Sequence, residues 1–354
     1  MLIPLDDLHY DYREIDGYNK AFNIVVSPRE PGKTTMMWVK KIYRPWTQDE
    51  RPWIYLVRQT VEITEALISS ICLTTINKFC DESVNFTYKL GNFKEGIVDI
   101  FIKDKLFFRI VSLSIPMRRI KLAVLPRVKG VFMDEYIIDI RTGERYVANE
   151  AFKIKEAYTT WRRENPSLKF YFAANPYSLS NPLFADFGVD TNKLKVGEFY
   201  VGDKYVIHMA TLNPKLREKL LAENPLYKFD ETYTKYALYG EAINDQNIII
   251  ETKLPEHYHI KYVVRYANKN IAIYIANNPE DVDCKYHCRY IDFDISKRRE
   301  IFCFDFSNLV EGAILLSITD RIKLSDIKTA MSRRRISFEN VDIYYYFEEI
   351  YKYL

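Results

Sequence analysis

A chain of 354 residues is too long for one ordinary core and suits two domains, and its 48% hydrophobic content can fill them, which excludes a disordered protein. The 51 Lys and Arg against 48 Asp and Glu leave a net charge of +3, too balanced to argue nucleic-acid binding from charge alone, so any such contact must come from local clusters. Five scattered cysteines, no secretory pattern and no apolar run of about 18 residues point to reduced thiols, a cytoplasmic setting and no membrane span.

Residues 1–20 are polar and aromatic and lead into A-F-N-I-V-V at 21–26, a short apolar run that predicts a buried strand. The run breaks at Ser27-Pro28, and a helical pattern begins at Gly32. A second buried strand is expected at W-I-Y-L-V, 53–57, followed by helical spacing over 61–79. Residues 85–111 alternate as a meander with a Gly-Asn turn at 91–92. Further buried strands are expected at 130–133 and 170–174, with a helix over 147–163 between them. Strands that are apolar along their length and alternate with helices argue for an α/β fold, a parallel sheet covered on both faces.

The pattern changes near residue 195. Residues 213–240 read as two helices, with Asn213-Pro214 and Asn224-Pro225 as their starts. From 246 to 318 the chain turns strand-rich, with turns at 268–270 and 277–279. The expected division is 1–195, a nucleotide-binding domain; 196–243, a helical linker; and 244–354, a smaller α+β domain. Cys284, His287 and Cys288 stand close in sequence, but no second pair completes a zinc spacing.

The loop S-P-R-E-P-G-K-T at 27–34 follows a buried strand and opens a helix, where a phosphate-binding loop belongs. Gly32 lets the backbone approach phosphate, Lys33 brings a cation to the β- and γ-phosphates, and Thr34, next to Thr35, offers a hydroxyl to Mg²⁺. The leading position, often Gly, is Ser27. At 131–135, V-F-M-D-E ends a strand in two carboxylates: Asp134 suits Mg²⁺, and Glu135 suits orienting an attacking water. Alone, Asp-Glu after a strand is a solvated strand end; a hundred residues after such a loop it gains meaning. Asn175 in A-A-N-P either senses the γ-phosphate or only makes an Asn-Pro turn. Arg58, at the end of its strand, either reaches phosphate or sits on the surface.

These segments resemble the phi29-like bacteriophage DNA-packaging (encapsidation) ATPases, relatives of the FtsK/HerA-type ring translocases. The resemblance is carried by F-N-I-V-V-S-P-R-E-P-G-K-T, I-Y-L-V-R, S-I-P-M, V-F-M-D-E-Y, F-A-A-N-P-Y-S-L-S-N-P and Y-G-E at 239–241, and it weakens after about 245. It implies an ASCE-type P-loop sheet and a C-terminal domain of degenerate, RNase H-like kind. It also implies a homo-oligomeric ring, commonly a pentamer, docked on the portal of a prohead in the host cytoplasm. Such a ring drives double-stranded DNA inward with ATP and Mg²⁺, in some systems with a structural RNA. Under it, Arg29 matches an arginine inside the phosphate loop, and Asn175 the sensor. Arg163, with Arg162 as second choice, matches a finger presented to the neighbouring subunit. Without the resemblance, W-R-R at 161–163 is a basic helix end facing its own dipole.

A working nuclease needs carboxylates converging on two metals; the candidates are Asp283, Asp292, Asp294 and Asp305, whereas the early strand carries Arg265 and no acid. No nuclease activity is therefore expected. Candidate DNA-gripping residues are Lys103, Lys105, Arg118, Arg119, Lys121, Arg127 and Lys129. Lys285, His287, Arg289, Lys297–Arg299 and Arg333–Arg335 form clusters that contact phosphate or a partner, or else are solvated faces. The competing functions are a terminase large subunit that also cuts DNA and a P-loop NTPase that is no motor. A scaffold with a relic loop ranks last, because Lys33, Thr34, Asp134 and Glu135 are all present.

Overall fold

The structure is a computed structural model, and it describes residues 8–80, 83–88, 95–139, 142, 144–242, 248–266, 269–280, 282–292, 301–303, 311, 313–315 and 324–351. The Gly-Asn turn at 91–92, the strand ends carrying Asp294 and Asp305, and Lys297, Arg298 and Arg299 lie outside them. The chain forms two compact units, Met1–Ser178 with Pro182–Asn244, and Leu179–Asn181 with Asp245–Leu354.

In the first unit the described strands are β1 (Phe22–Val26), β2 (Trp53–Val57), β3 (Phe86–Tyr88), β4 (Ile97–Ile102), β5 (Lys105–Ser112), β6 (Gly130–Asp134), β7 (Phe170–Ala174), β8 (Phe199–Val201) and β9 (Tyr205–Met209). They build one sheet in the order β3-β4-β5-β2-β6-β7-β1-β9-β8. All neighbours from β5 to β9 run parallel, with β3-β4, β4-β5 and β8-β9 antiparallel at the edges. β1, β2 and β7 are buried at every residue, as strands covered on both faces must be.

Period-two alternation sends neighbouring residues of one strand to opposite cores. Tyr171 and Ala173 of β7 join a core with Met36, Trp38, Ile42 and Trp46 from the helix after β1, and with Ile68, Ile71 and Ile76 from the helix after β2. Phe170 packs against Trp161 and Tyr158 of a helix at Glu150–Trp161, with ring centroids 5.9 and 5.5 Å apart. Burying a ring of this size contributes about 2–3 kcal/mol.

The β8-β9 hairpin falls at the start of 196–243, the stretch read as a helical linker, ahead of the two helices read over 213–240. Helices appear only after it, at Pro214–Glu223, Leu226–Phe229 and Glu231–Thr234, the last running into a wide π-turn over Lys235–Tyr239. The Asn213 side chain accepts from the Lys215 backbone N–H, as its place before Pro214 predicts. β9 pairs in parallel with β1 from Phe22 against Tyr205 to Val26 against Met209, so this stretch completes the sheet beside the phosphate loop.

The second unit holds β10 (Tyr258–Tyr266), β11 (Lys269–Ala276), β12 (Tyr286–Ile291), β13 (Ile301–Cys303), β14 (Ala313–Leu315) and β15 (Ile336–Phe338), in the order β14-β13-β10-β11-β12-β15. Helices at Ser325–Ser332 and Val341–Tyr351 cover one face through Ile327, Ile343 and Phe347. His287 and Cys288 are neighbours in β12: the Cys288 side chain joins the core under those helices, and the fully buried His287 Nδ1 pairs with Ser337 Oγ at 3.0 Å. Burial pushes His287 down to about 4. Among the described residues no three His, Cys, Asp or Glu side chains gather to hold a metal.

Candidate functional site

The parallel strands deliver their C-terminal ends to one cleft of about 770 Å³, lined by His9, Arg29–Met36, Thr74, Thr75, Lys78, Phe79, Glu135 and Asn175. β1 places the loop 27–32 and the helix starting at Lys33, β6 places Asp134 and Glu135, and β7, lying between β1 and β6, places Asn175. Three segments separated by up to 150 residues thus meet because their strands are adjacent.

Lys33 is buried, and its Nζ donates to Asn175 Oδ1 at 2.6 Å. Burial lowers its pKa to about 8, against the opposing pull of Asp134 and Glu135. Burial also raises Asp134 to about 6, although the carboxylate accepts from the Thr34 hydroxyl and faces Lys33. Burial thus opposes the charge on both groups, and their attraction for each other offsets part of that cost. A threonine hydroxyl beside a carboxylate is a donor set of hard oxygens, which fits a small divalent cation such as Mg²⁺.

The loop carries backbone strain where it bends. Glu30 has φ 73° and Gly32 φ 66°, and across the cleft Glu135 has φ 50°. A non-glycine residue in the left-handed region costs about 1–2 kcal/mol, and such strain collects at working sites. At Gly32 the requirement is also spatial, because a Cβ would lie 2.5 Å from His9 Cδ2. Ser27, in contrast, is not among the positive-φ residues; it is buried, its N–H donates to Ala174 O, and its hydroxyl donates to Pro28 O. The usual leading glycine has no conformational task here.

Arg29 lies on the cleft wall, but its Nε donates to Tyr236 OH at 3.2 Å and its Nη2 to Tyr177 OH at 3.1 Å. Arg58 neither sits on the surface nor lines the cleft. It is buried, grips Glu150 through Nε and Nη2 at 2.9 and 3.1 Å, and donates to the backbone oxygens of Glu135 and Tyr136. Arg162 and Arg163 stand exposed at the C-terminal end of the Glu150–Trp161 helix, and Arg162 covers the Tyr158 ring at 5.5 Å. The structure therefore does not bring them to the cleft of their own chain.

The N-terminal aromatics reach the site without any motif to announce them. The Tyr10 N–H donates to Pro31 O at 2.8 Å, and Tyr12 OH donates to Lys33 O at 3.2 Å. Thr74, Thr75, Lys78 and Phe79 form a wall from the second helix, and only its apolar period was legible in sequence.

Among the candidate DNA-gripping residues, Lys105 pairs with Glu50, Arg119 with Glu95, Lys121 with Glu156 and Lys129 with Asp49, while Lys103, Arg118 and Arg127 are exposed. In the second unit Arg289 pairs with Glu339 at 2.9 Å, Lys285 stands 3.9 Å from Asp326, and Arg335 donates to the Pro279 and Val282 carbonyls. Arg333 and Arg334 remain exposed.

The model of the Podovirus DNA encapsidation protein (Gp16) family matches residues 5–353. The bacteriophage Phi-29 viral genome packaging motor assembly contains a chain that superposes with a TM-score of 0.70 at 19% identity, over 98% of this chain and 99% of that one. The Phi-28 gp11 DNA packaging motor superposes with a TM-score of 0.61 at 18% identity, over 98% of both chains. At such identities the likeness is one of fold. No curated protein matches the sequence.

Proposed function

The chain belongs to the podovirus DNA encapsidation protein family, and from that premise we propose that it is an ATP-hydrolysing motor that drives double-stranded DNA into a viral prohead. One observation carries the catalytic part: the ends of β1, β6 and β7 meet in a single cleft, where Lys33 bonds Asn175 and Thr34 bonds Asp134. That is the arrangement an ASCE-type P-loop ATPase requires, and the order β9-β1-β7-β6-β2 supports it.

Lys33 meets the β- and γ-phosphates of ATP, and the loop and helix N-terminus add backbone N–H groups. Thr34 and Asp134 would hold Mg²⁺, which when bound neutralises charge on the phosphates. Glu135 orients and deprotonates the attacking water, and Asn175 positions the γ-phosphate end of the cleft. Arg163, or Arg162 beside it, serves the cleft of a neighbouring copy in a ring, with five copies the expected number. The ring works on the prohead portal in the host cytoplasm, with a structural RNA as a further candidate partner.

The second unit reads as an RNase H-like domain without its catalytic acids. The order β12-β11-β10-β13-β14, antiparallel then parallel, supports this, and Arg265 on β10 is engaged by Asn270 at 3.1 Å.

The test is ATP turnover with and without double-stranded DNA, with oligomer mass followed in parallel. Lys33→Ala should lose tight ATP binding, and Glu135→Gln should bind ATP yet lose turnover by about a hundredfold or more. Unchanged turnover in Glu135→Gln removes the assigned base.

A further inference from the structure

The phosphate loop is held from two sides. Its C-terminal half opens the helix at Lys33, as any such loop does. Its N-terminal half, Ser27–Arg29, contains no glycine and rests on a different element, the π-turn at Lys235–Tyr239. The Arg29 backbone N–H donates to Ala237 O at 2.9 Å, and its guanidinium donates to Tyr236 OH and Tyr177 OH. The Arg29 guanidinium also lies 5.8 Å from the centre of the Tyr236 ring. Tyr236 is only 1% exposed and stacks on Tyr177 at 5.3 Å, so neither hydroxyl is free to wander. The turn ends at Gly240 with φ 80°, and a Cβ there would press on the Pro28 ring at 3.3 Å.

Each contact is local to the first unit, and those of Tyr236, Ala237 and Gly240 join the loop to the segment that ends that unit. Tyr177 adds a third tie, since it stands two residues after Asn175 on the β7 end. Arg29 is thus the common point of the phosphate loop, the β7 end and the helical segment.

We propose that Tyr236 and Tyr177 are positioning residues that brace the phosphate loop through Arg29, making the segment 226–240 a strut whose order depends on nucleotide. The proposal rests on the nucleotide reading above. A strut that stiffens the loop favours the bound state, and linkage requires bound nucleotide to stiffen the strut by the same factor. The Arg29 side chain acts here as a fastening, with its phosphate-facing role taken by Lys33.

The experiment uses the full chain with Tyr236→Phe, which keeps the ring and its stacking and deletes one hydroxyl. A lost hydrogen bond to a charged group predicts about a tenfold weaker KM for ATP with kcat at saturation little changed. Hydrogen exchange of amides 235–241 should slow when a non-hydrolysable ATP analogue binds the wild type, and slow much less in Tyr236→Phe. Tyr177→Phe should show both effects and keeps the test alive if Tyr236→Phe fails to fold. If the wild type binds no nucleotide, the functional reading itself fails. If the wild type binds, and both Phe variants match it in KM and in protection of 235–241, the strut alone is overturned.

Discussion

Asp134 shows how a single residue couples function to stability. Its pKa of about 6 exceeds the ordinary value of 3.8, so between those values the folded protein binds more protons than the unfolded chain. Stability of the nucleotide-free protein should therefore fall as pH rises through roughly 4 to 6. Lys33, lowered from 10.5 to about 8, acts in the opposite sense, and stability should recover as pH rises above about 8. Near neutrality both charges are carried at a cost. Asp134→Asn should accordingly gain about 1–2 kcal/mol at pH 7 and lose the acid-side slope, while losing metal-dependent ATP binding. Urea melts at pH 4.5 and 7 decide this, and parallel slopes in both proteins would refute it. Arg58 makes the converse case. Arg58→Ala leaves Glu150 buried without its cation, and a loss of about 3–5 kcal/mol is expected in the same melts. That Lys33, Asp134 and Glu135 share one region was legible in sequence, because a loop that opens a helix after one buried strand and an acidic pair closing another are local patterns. The place of Arg58 was not, since its partner Glu150 lies 92 residues away and no spacing rule links them.

At the scale of elements, the phosphate loop depends on a backbone shape more than on a consensus. The bends fall at Glu30 and Gly32, while Ser27 keeps ordinary geometry, so a glycine-poor loop still forms. Gly32→Ala meets both a left-handed φ and a contact with His9, and should cost about 1–2 kcal/mol and weaken ATP binding. Adding His9→Ala should recover part of the binding by removing the clash but not the strain. If the double variant binds no better than Gly32→Ala, the space argument is wrong. Strands β1, β2 and β7 were readable because both of their faces are buried, which leaves an unbroken apolar run. The β8-β9 hairpin was not: β8 is three residues long and partly exposed, and β9 includes His208. His208 is at home there only because its Nδ1 meets Tyr10 OH at 2.9 Å and Phe199 stacks on its ring at 3.7 Å, contacts that no local pattern contains.

At the scale of the whole molecule, the parallel sheet sets two edges to different tasks. The C-terminal strand ends build the cleft, and the helix Glu150–Trp161 carries the chain back toward the start of β7. Twelve residues of helix rise about 18 Å, so Arg162 and Arg163 leave the cleft edge and cannot serve the phosphates of their own chain. Among the described residues, Lys33, Arg29 and Lys78 are the cations that the cleft's own chain supplies; under the proposed function Arg163 adds one from another copy, and turnover would then be a property of the assembly. Arg163→Ala should retain ATP binding and lose turnover by about a thousandfold. Mixed with Glu135→Gln, which lacks the base but keeps the arginine, it should regain activity, because some interfaces then pair an intact cleft with an intact finger. The recovery should peak at intermediate mixing ratios and require assembly, which mass measurement follows on the same samples. Mixtures that stay inactive at every ratio, while forming mixed assemblies, would place the finger elsewhere. Arg162→Ala run in the same series separates the two neighbours.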